Sequence, residues 1–422
     1  MLGILISIIK VIVLLGFLVF IHESGHFLIA KLFKIKVLEF AIGFGPTIWS
    51  KQGKETKYAL RLVPLGGFVN MLGEEERSEE HGSYSSASIP KRIGILVAGG
   101  LVNIIFGILV YFILVASVNT SYITTTIKEV VPNYAAEACG INAGDKFLKI
   151  DGKNIRIKTD VDNILAKNKS DNLNVLLERN GEKVELNIVP TKVDTKSIGI
   201  FLGTQGDNLS TEIKSLYKGG PAEKAGIKSG DRILKVDDVD TNDDTLKAVE
   251  MIQTSQNEKV KITVKRNEEI LEFEIMPDIS TTYKLGVIFG ETNKTFLNAI
   301  YYSFWETERF TSSIVENLKR LFTGNVGVDQ LMGPVGISGM VVETKGIEEF
   351  AYILALISLS LGVTNLLPFP PLDGGKVVLL IIEAIRRKPL KENIEVGIQT
   401  AGFVLLIALS LFVTFNDILR IF

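Results

Sequence analysis

In the run GFLVFIHESGHFLIAKLF (residues 16–33), two histidines stand four positions apart with a glutamate between them. Residues i and i+4 share one face of a helix. His22 and His26 can therefore direct two ring nitrogens at one metal ion, with Glu23 beside them as a proton acceptor. That is half of a zinc site plus a base. The apolar setting sharpens the reading, because an acidic side chain deep in a membrane helix costs about 2.5–3.5 kcal/mol on insertion scales and needs a partner. The chain has 3 histidines in all, and both members of this pair are among them.

A catalytic zinc takes three protein ligands and keeps one position open for water. His81 lies in the polar run RSEEHGSYSSAS (77–88), which reads as solvated. Ile29 and Leu32 occupy the places where an H-x-x-G-x-x-H extension would supply a third histidine. Glu39 and Glu55 stand downstream, where some zinc proteases carry a ligating glutamate. Asp373 in TNLLPFPPLDGGKVVLL (364–380) is the better candidate. It is a second ionisable group inside an apolar segment, preceded by helix-breaking prolines, and one shared metal would explain both anomalies.

These residues need elements that hold them together. The chain has 422 residues, 46% hydrophobic content and a mean hydropathy of +0.29, which points to a membrane protein carrying a polar part. Four stretches are apolar enough to span a bilayer: 2–33, 93–118, 350–385 broken by a proline turn, and 396–415. The first continues well past a short signal-peptide core and is followed by no small-residue cleavage site, so it reads as a retained helix. Cys139 is the only cysteine, which rules out an intramolecular disulfide. A net charge of −2 with no basic stripe gives nucleic acid no footing.

Basic residues near the span ends set the expected orientation. Lys31, Lys34, Lys36, Lys91 and Arg92 bracket the first loop, and Arg386, Arg387, Lys388 and Lys391 fill the last. Both loops are expected in the cytoplasm, with both termini and residues 119–349 outside.

The outer segment repeats itself. CGINAGDKFLKIDG (139–152) and AGIKSGDRILKVDD (225–238) align without gaps, and IGIFLG (198–203) is echoed by LGVIFG (285–290). NVLLERNGEKVELNIV and KVKITVKRNEEILEFEI read as hairpins around Asn-Gly and Asn-Glu turns, and PAEKAG as a short helix closed by glycine. The pattern resembles the tandem PDZ domains of bacterial membrane and periplasmic proteases. That resemblance implies modules at 121–204 and 207–290, with Gly199, Ile200, Gly286 and Val287 starting the strands that receive a peptide by edge addition. A module used only to shape access is the plainer alternative.

HESGH in the first span, GFGP and RLVPLGGFV in the first loop, NLLPFPPLDGG in the third span and the paired modules together resemble the site-2 proteases, of the bacterial regulator-of-sigma-E type. The resemblance covers nearly the whole chain. It implies His22, His26 and Asp373 as zinc ligands, Glu23 as general base and Asn365 as a substrate or oxyanion contact. The implied substrates are transmembrane segments of proteins already trimmed outside, such as anti-sigma factors and remnant signal peptides, and the implied location is the bacterial inner membrane.

The expected fold is therefore an α-helical membrane protein with about four transmembrane helices, two extracytoplasmic α+β PDZ domains and a membrane-associated β-hairpin or sheet. In order these are a first span (1–36), a β region (37–90), a second span (91–118), the two modules, an amphipathic helix and linker (291–349), a third span region (350–386) and a fourth span (395–417). Residues 38–72 alternate like strands around a KQGKET tip, and their edge is a candidate holder of an unwound substrate, with a plain cytoplasmic loop as the alternative. Residues 299–324 read as an amphipathic helix at the membrane surface or packed in a core. The glycine-rich run 324–337 resembles a family motif without a chemical role readable from its spacing, and 74–88 reads as a mobile solvated loop. The competing function is a non-catalytic PDZ scaffold with a structural metal. A structural site closes its ligand set and needs no base, whereas this chain offers three ligands and Glu23.

Overall fold

A computed structural model describes residues 2–74, 76, 78–118, 121–167, 172–205, 208–217, 219–323, 333–344 and 346–421. The chain divides into two compact units, 1–122 with 293–422, and 123–292.

The first unit opens with helix α1 (Leu2–Leu32), followed by the antiparallel strands β1 (Val37–Gln52) and β2 (Lys57–Met71) and by helix α2 (Ile89–Val118). The β1–β2 pairing is folded on itself. Phe40 faces both Val69 and Tyr58, and Ala41 faces both Phe68 and Ala59, so the first half of β1 runs between the two halves of β2. Residues 67–71 therefore form an outer strand. Ala30, Ile35, Val37, Phe40, Val69, Met71 and Ile95 are buried together, which locks the end of α1, the hairpin and the start of α2 into one core. The stretch 74–88, expected to be mobile and solvated, is partly built into this unit. Ser83 is buried, the Tyr84 N–H donates to Leu72 O, and Tyr84 packs on the same core.

The second unit carries β3 (Ser121–Val130), α3 (Ala135–Ala138), β4 (Lys146–Ile150), β5 (Lys153–Asn154), α4 (Lys158–Lys167), β6 (Leu173–Arg179), β7 (Glu182–Ile188), β8 (Thr191–Ser197) and β9 (Ile200–Gln205). It continues with β10 (Asn208–Leu216), α5 (Pro221–Lys224), β11 (Arg232–Val236), β12 (Val239–Asp240), α6 (Thr245–Thr254), β13 (Val260–Arg266), β14 (Glu269–Ile275), β15 (Asp278–Lys284) and β16 (Val287–Asn293). The internal repeat is visible atom by atom. Arg179 bonds Asp145 and the Gly140 carbonyl, as Arg266 bonds Asp231 and the Gly226 carbonyl. The hairpin turns fall at Asn180-Gly181 and Asn267-Glu268, all with positive φ, as the sequence predicts.

The module boundaries need correction. One sheet runs β14-β13-β11-β10-β9 and the other β16-β3-β4-β6-β7. The strand at 200–205, expected to close the first copy, joins the second, and the strand at 287–293, expected to close the second, joins the first. Packing follows: Leu285, Val287 and Phe289 bury against Phe147 and Ile150, whereas Ile200 and Leu202 bury against Ile213 and Ile233. The second module is thus an insertion in the first, and β8 and β15 pair with each other where the chain crosses over.

The first unit resumes with α7 (Phe296–Phe322), α8 (Pro334–Glu343), α9 (Ile347–Asn365), α10 (Asp373–Arg386) and α11 (Glu392–Ile421). Among the described residues, four helices are long and apolar enough to cross a membrane, within α1, α2, α9 and α11. The segment 350–385, expected as one interrupted span, is α9, a turn through the cis Pro370-Pro371 bond, and the separate α10. At 14 residues, α10 reaches only about 21 Å. Helix α7 packs Ala299 with Val115 and Tyr122 and stacks Tyr302 on Tyr122, while Phe296, Leu297 and Phe304 stay exposed. The glycine-rich run 324–337 lies outside the described residues up to 332, and its end begins α8.

Candidate active site

The helix register of α1 puts His22 and His26 side by side, and the turn before α10 brings Asp373, the first residue of that helix, against them. His22 Nε2 is 3.2 Å from Asp373 Oδ2, His26 Nε2 is 3.3 Å from the same oxygen, and the two Nε2 atoms are 3.2 Å apart. Zinc bonds of about 2.0–2.1 Å in a tetrahedron make the edge of a ligand face about 3.3 Å, so the three atoms have the size of such a face. Asp373 Oδ2 is also a buried oxygen with no hydrogen-bond donor. Three lone pairs converging at this spacing fit a divalent cation.

The outer contact of His26 favours the same reading. His26 Nδ1 is 2.8 Å from the Ile95 carbonyl, to which only a ring N–H can donate, and this leaves Nε2 unprotonated for a metal. His22 Nδ1 lies 3.4 Å from the Asn103 amide and 3.5 Å from the Asn365 amide. Asn103 is completely buried, its amide nitrogen faces the ring, and its Oδ1 has no hydrogen-bond partner. Asn365, expected at the substrate or oxyanion, has its amide nitrogen beside His22 Nδ1. Asn103 escaped the reading of the sequence. Its signal was there, as the one amide in the otherwise charge-free stretch 93–118.

Close approach of α2 depends on Gly99. A Cβ there would lie 2.4 Å from His26 Nε2 and 2.7 Å from His22 Cε1. The hairpin comes equally near on another side, because a Cβ at Gly67 would meet Glu23 Cγ at 3.2 Å. Glu23 shares a pocket of about 170 Å³ with both histidines, Asp373, Phe68, Val69, Met71 and Lys376.

The other carboxylates considered as ligands are engaged elsewhere. Glu39 pairs with Arg61 at 2.8 Å, Glu55 pairs with Lys31 at 2.8 Å, and His81 is exposed. In the second unit, Gly286 and Val287 line a groove of about 780 Å³ with Val131, Val161, Leu165 and Phe289, between the edge strand β16 and α4. Gly199 and Ile200 stand at the start of β9, the edge strand of the other sheet.

Residues 10–409 match peptidase family M50. The chain is 30% identical to a putative zinc metalloprotease of Thermotoga maritima and 30% identical to the regulator of sigma E protease of Haemophilus influenzae, each over 97% of this chain and 98% of the relative. It is 32% identical to the zinc metalloprotease RasP of Geobacillus kaustophilus, over 99% of this chain and 98% of that one. Among solved structures, an HtrA3 PDZ domain bound to a phage-derived ligand aligns with 22% of this chain and 92% of its own at 21% identity, with a TM-score of 0.19. A metal-sized triad of side chains beside a glutamate and a match over nearly the full length agree: the chain belongs to peptidase family M50, as a membrane zinc metalloendopeptidase of the regulator-of-sigma-E, site-2 type.

Proposed function

We propose that His22, His26 and Asp373 hold the zinc and that Glu23 is the general base for hydrolysis of peptide bonds in transmembrane segments. The observation carrying this reading is the triangle of His22 Nε2, His26 Nε2 and Asp373 Oδ2, 3.2–3.3 Å on each side, with Glu23 in the same pocket. Zinc held there supplies the Lewis acid that polarises a scissile carbonyl and activates water at neutral pH. Glu23 accepts the proton of the attacking water and returns it to the leaving amine nitrogen. The Ile95 carbonyl keeps His26 in the tautomer that binds metal, and the Asn103 and Asn365 amides pack against Nδ1 of His22. A helical substrate hides its carbonyls in i→i−4 bonds, so its cut segment must unwind, and the outer strand 67–71 offers an edge on which the unwound chain can pair.

The substrates in this reading are membrane proteins trimmed beforehand on the outer side, anti-sigma factors and remnant signal peptides among them. The enzyme sits in the bacterial inner membrane with residues 123–292 outside and the catalytic pocket open to cytoplasmic water. The basic residues around the first and last loops support that orientation. The two modules of the outer unit are taken as PDZ domains that exclude untrimmed proteins by size. The groove at Gly286 and Val287 favours a second role in receiving an extended peptide end. Membranes from cells carrying Glu23→Gln should accumulate an uncut, already trimmed membrane protein that wild-type cells remove. Identical membrane proteomes in the two strains would refute the assignment.

A further inference from the structure

One charged pair in the catalytic pocket is used by none of the chemistry above. Lys376 Nζ lies 3.4 Å from Glu74 Oε1, and both side chains line the pocket that holds Glu23 and Asp373. Lys376 is on α10, close to one turn beyond Asp373. Glu74 lies in the turn after the outer strand, its N–H bonded to the Met71 carbonyl. The pair therefore joins the helix that contributes Asp373 to the end of the strand whose residues Phe68, Val69 and Met71 face the pocket.

That strand packs Val69 and Met71 into the core shared with α1 and α2, and its backbone is paired on one side. Residues 67–71 pair with the first half of β1, and among the described residues no strand pairs with their other edge. Near its start, Gly67 packs against Glu23 and Val19. Beyond its end, the tie to Lys376 is the side-chain ion pair reaching across to α10. Two half-buried charges cost desolvation that an apolar pair would avoid, so their gain has to lie in specific placement. An ammonium committed to a carboxylate is also poorly placed to act alone on a reacting carbonyl.

Resting on the reading that this pocket cleaves peptides, we propose that the Glu74–Lys376 pair is a positioning tie. It fixes the outer strand, and any peptide paired to it, at the distance from Glu23 and the metal ligands that hydrolysis needs. Neither residue is catalytic. Displacement of a bound segment by about 1 Å lowers turnover by up to about a hundredfold, mainly in kcat.

The test uses the full chain, purified with zinc, and a synthetic single-span peptide with a fluorescent reporter. Lys376→Met and Glu74→Gln should each lower kcat about tenfold to a hundredfold with KM changed less than about threefold and zinc content unchanged. The double variant should be no worse than either single one. Lys376→Arg should stay near wild type, and the exchanged pair, Glu74→Lys with Lys376→Glu, should recover part of the loss. Amide hydrogen exchange over 66–74, read without turnover, should speed up in both single variants and slow again in the exchanged pair. Loss in Lys376→Met with none in Glu74→Gln would make Lys376 a catalytic group and overturn the tie, as would multiplicative losses or unaltered exchange. If wild type leaves the peptide uncut while the exchange pattern holds, the tie stands and the peptidase assignment of this pocket fails.

Discussion

His26 donates from Nδ1 to the main-chain carbonyl of Ile95 across 2.8 Å, so a helix that bears none of the three converging side chains decides which nitrogen of His26 is free. The same helix leaves room for both imidazoles through Gly99, one turn further along. The pocket is therefore a product of α2 as much as of the helices bearing its ligands.

The position of Gly99 makes a sharp prediction. In Gly99→Ala the new methyl group would stand 2.4 Å from His26 Nε2, and rigid helix packing lets neither side yield easily. The purified variant should carry clearly less than one zinc per chain while keeping wild-type helical content. Full zinc occupancy by metal analysis would show that α2 does not press on the histidines.

Asn103 should matter through the metal rather than through the fold. Outer-shell partners of ligating histidines are typically worth about tenfold to a hundredfold in metal affinity. Asn103→Leu keeps the volume and loses the amide, so chelator competition should show zinc held at least about tenfold more weakly. Unchanged affinity would show that Asn103 gives His22 no support as a ligand.

The paired modules should share an acid-sensitive device. Arg179 holds the Asp145 carboxyl below its ordinary range. At Asp231 burial pushes the carboxyl up, and Arg266 with the Lys228 N–H more than offsets it. A carboxylate whose pKa is depressed by folding contributes stability above its unfolded pKa of about 3.9, and that contribution fades as pH falls through the folded value. Asp145→Asn should therefore lower the stability of the β-rich transition at pH 7 by about 1.5–3 kcal/mol, seen as a lower melting point. The gap to wild type should narrow below about pH 4. A gap independent of pH would mean that Asn replaces the carboxylate only sterically.

The traded strands predict which pieces fold. A fragment of residues 121–205 lacks β16 and carries β9 without its partner strand, so it should give the collapsed amide spectrum of an unfolded chain. Residues 121–293 hold both sheets complete and should give dispersed signals. A well-dispersed spectrum from 121–205 would contradict the insertion.

That exchange also marks the limit of what could be read from residues alone. HESGH and LDGG were legible because i, i+4 spacing and an acid in an apolar run each carry their physical reason with them. The repeat was legible for the same kind of reason, down to its hairpin turns. IGIFLG and LGVIFG are too alike for sequence to say which sheet each joins, and only packing against Ile213 or Phe147 decides it. The Asn103 amide, the fit of Gly99 and the Glu74–Lys376 tie depend on segments far apart in the chain. No local spacing announces them.

The central claim is that holding the metal and moving the proton belong to different residues. Zinc content and peptide cleavage should be measured side by side on purified wild type, Glu23→Gln and His22→Ala. The expected result is full zinc with cleavage lowered by at least about a thousandfold in Glu23→Gln, and loss of both zinc and cleavage in His22→Ala. Loss of zinc from Glu23→Gln, or cleavage surviving in it, would contradict the account.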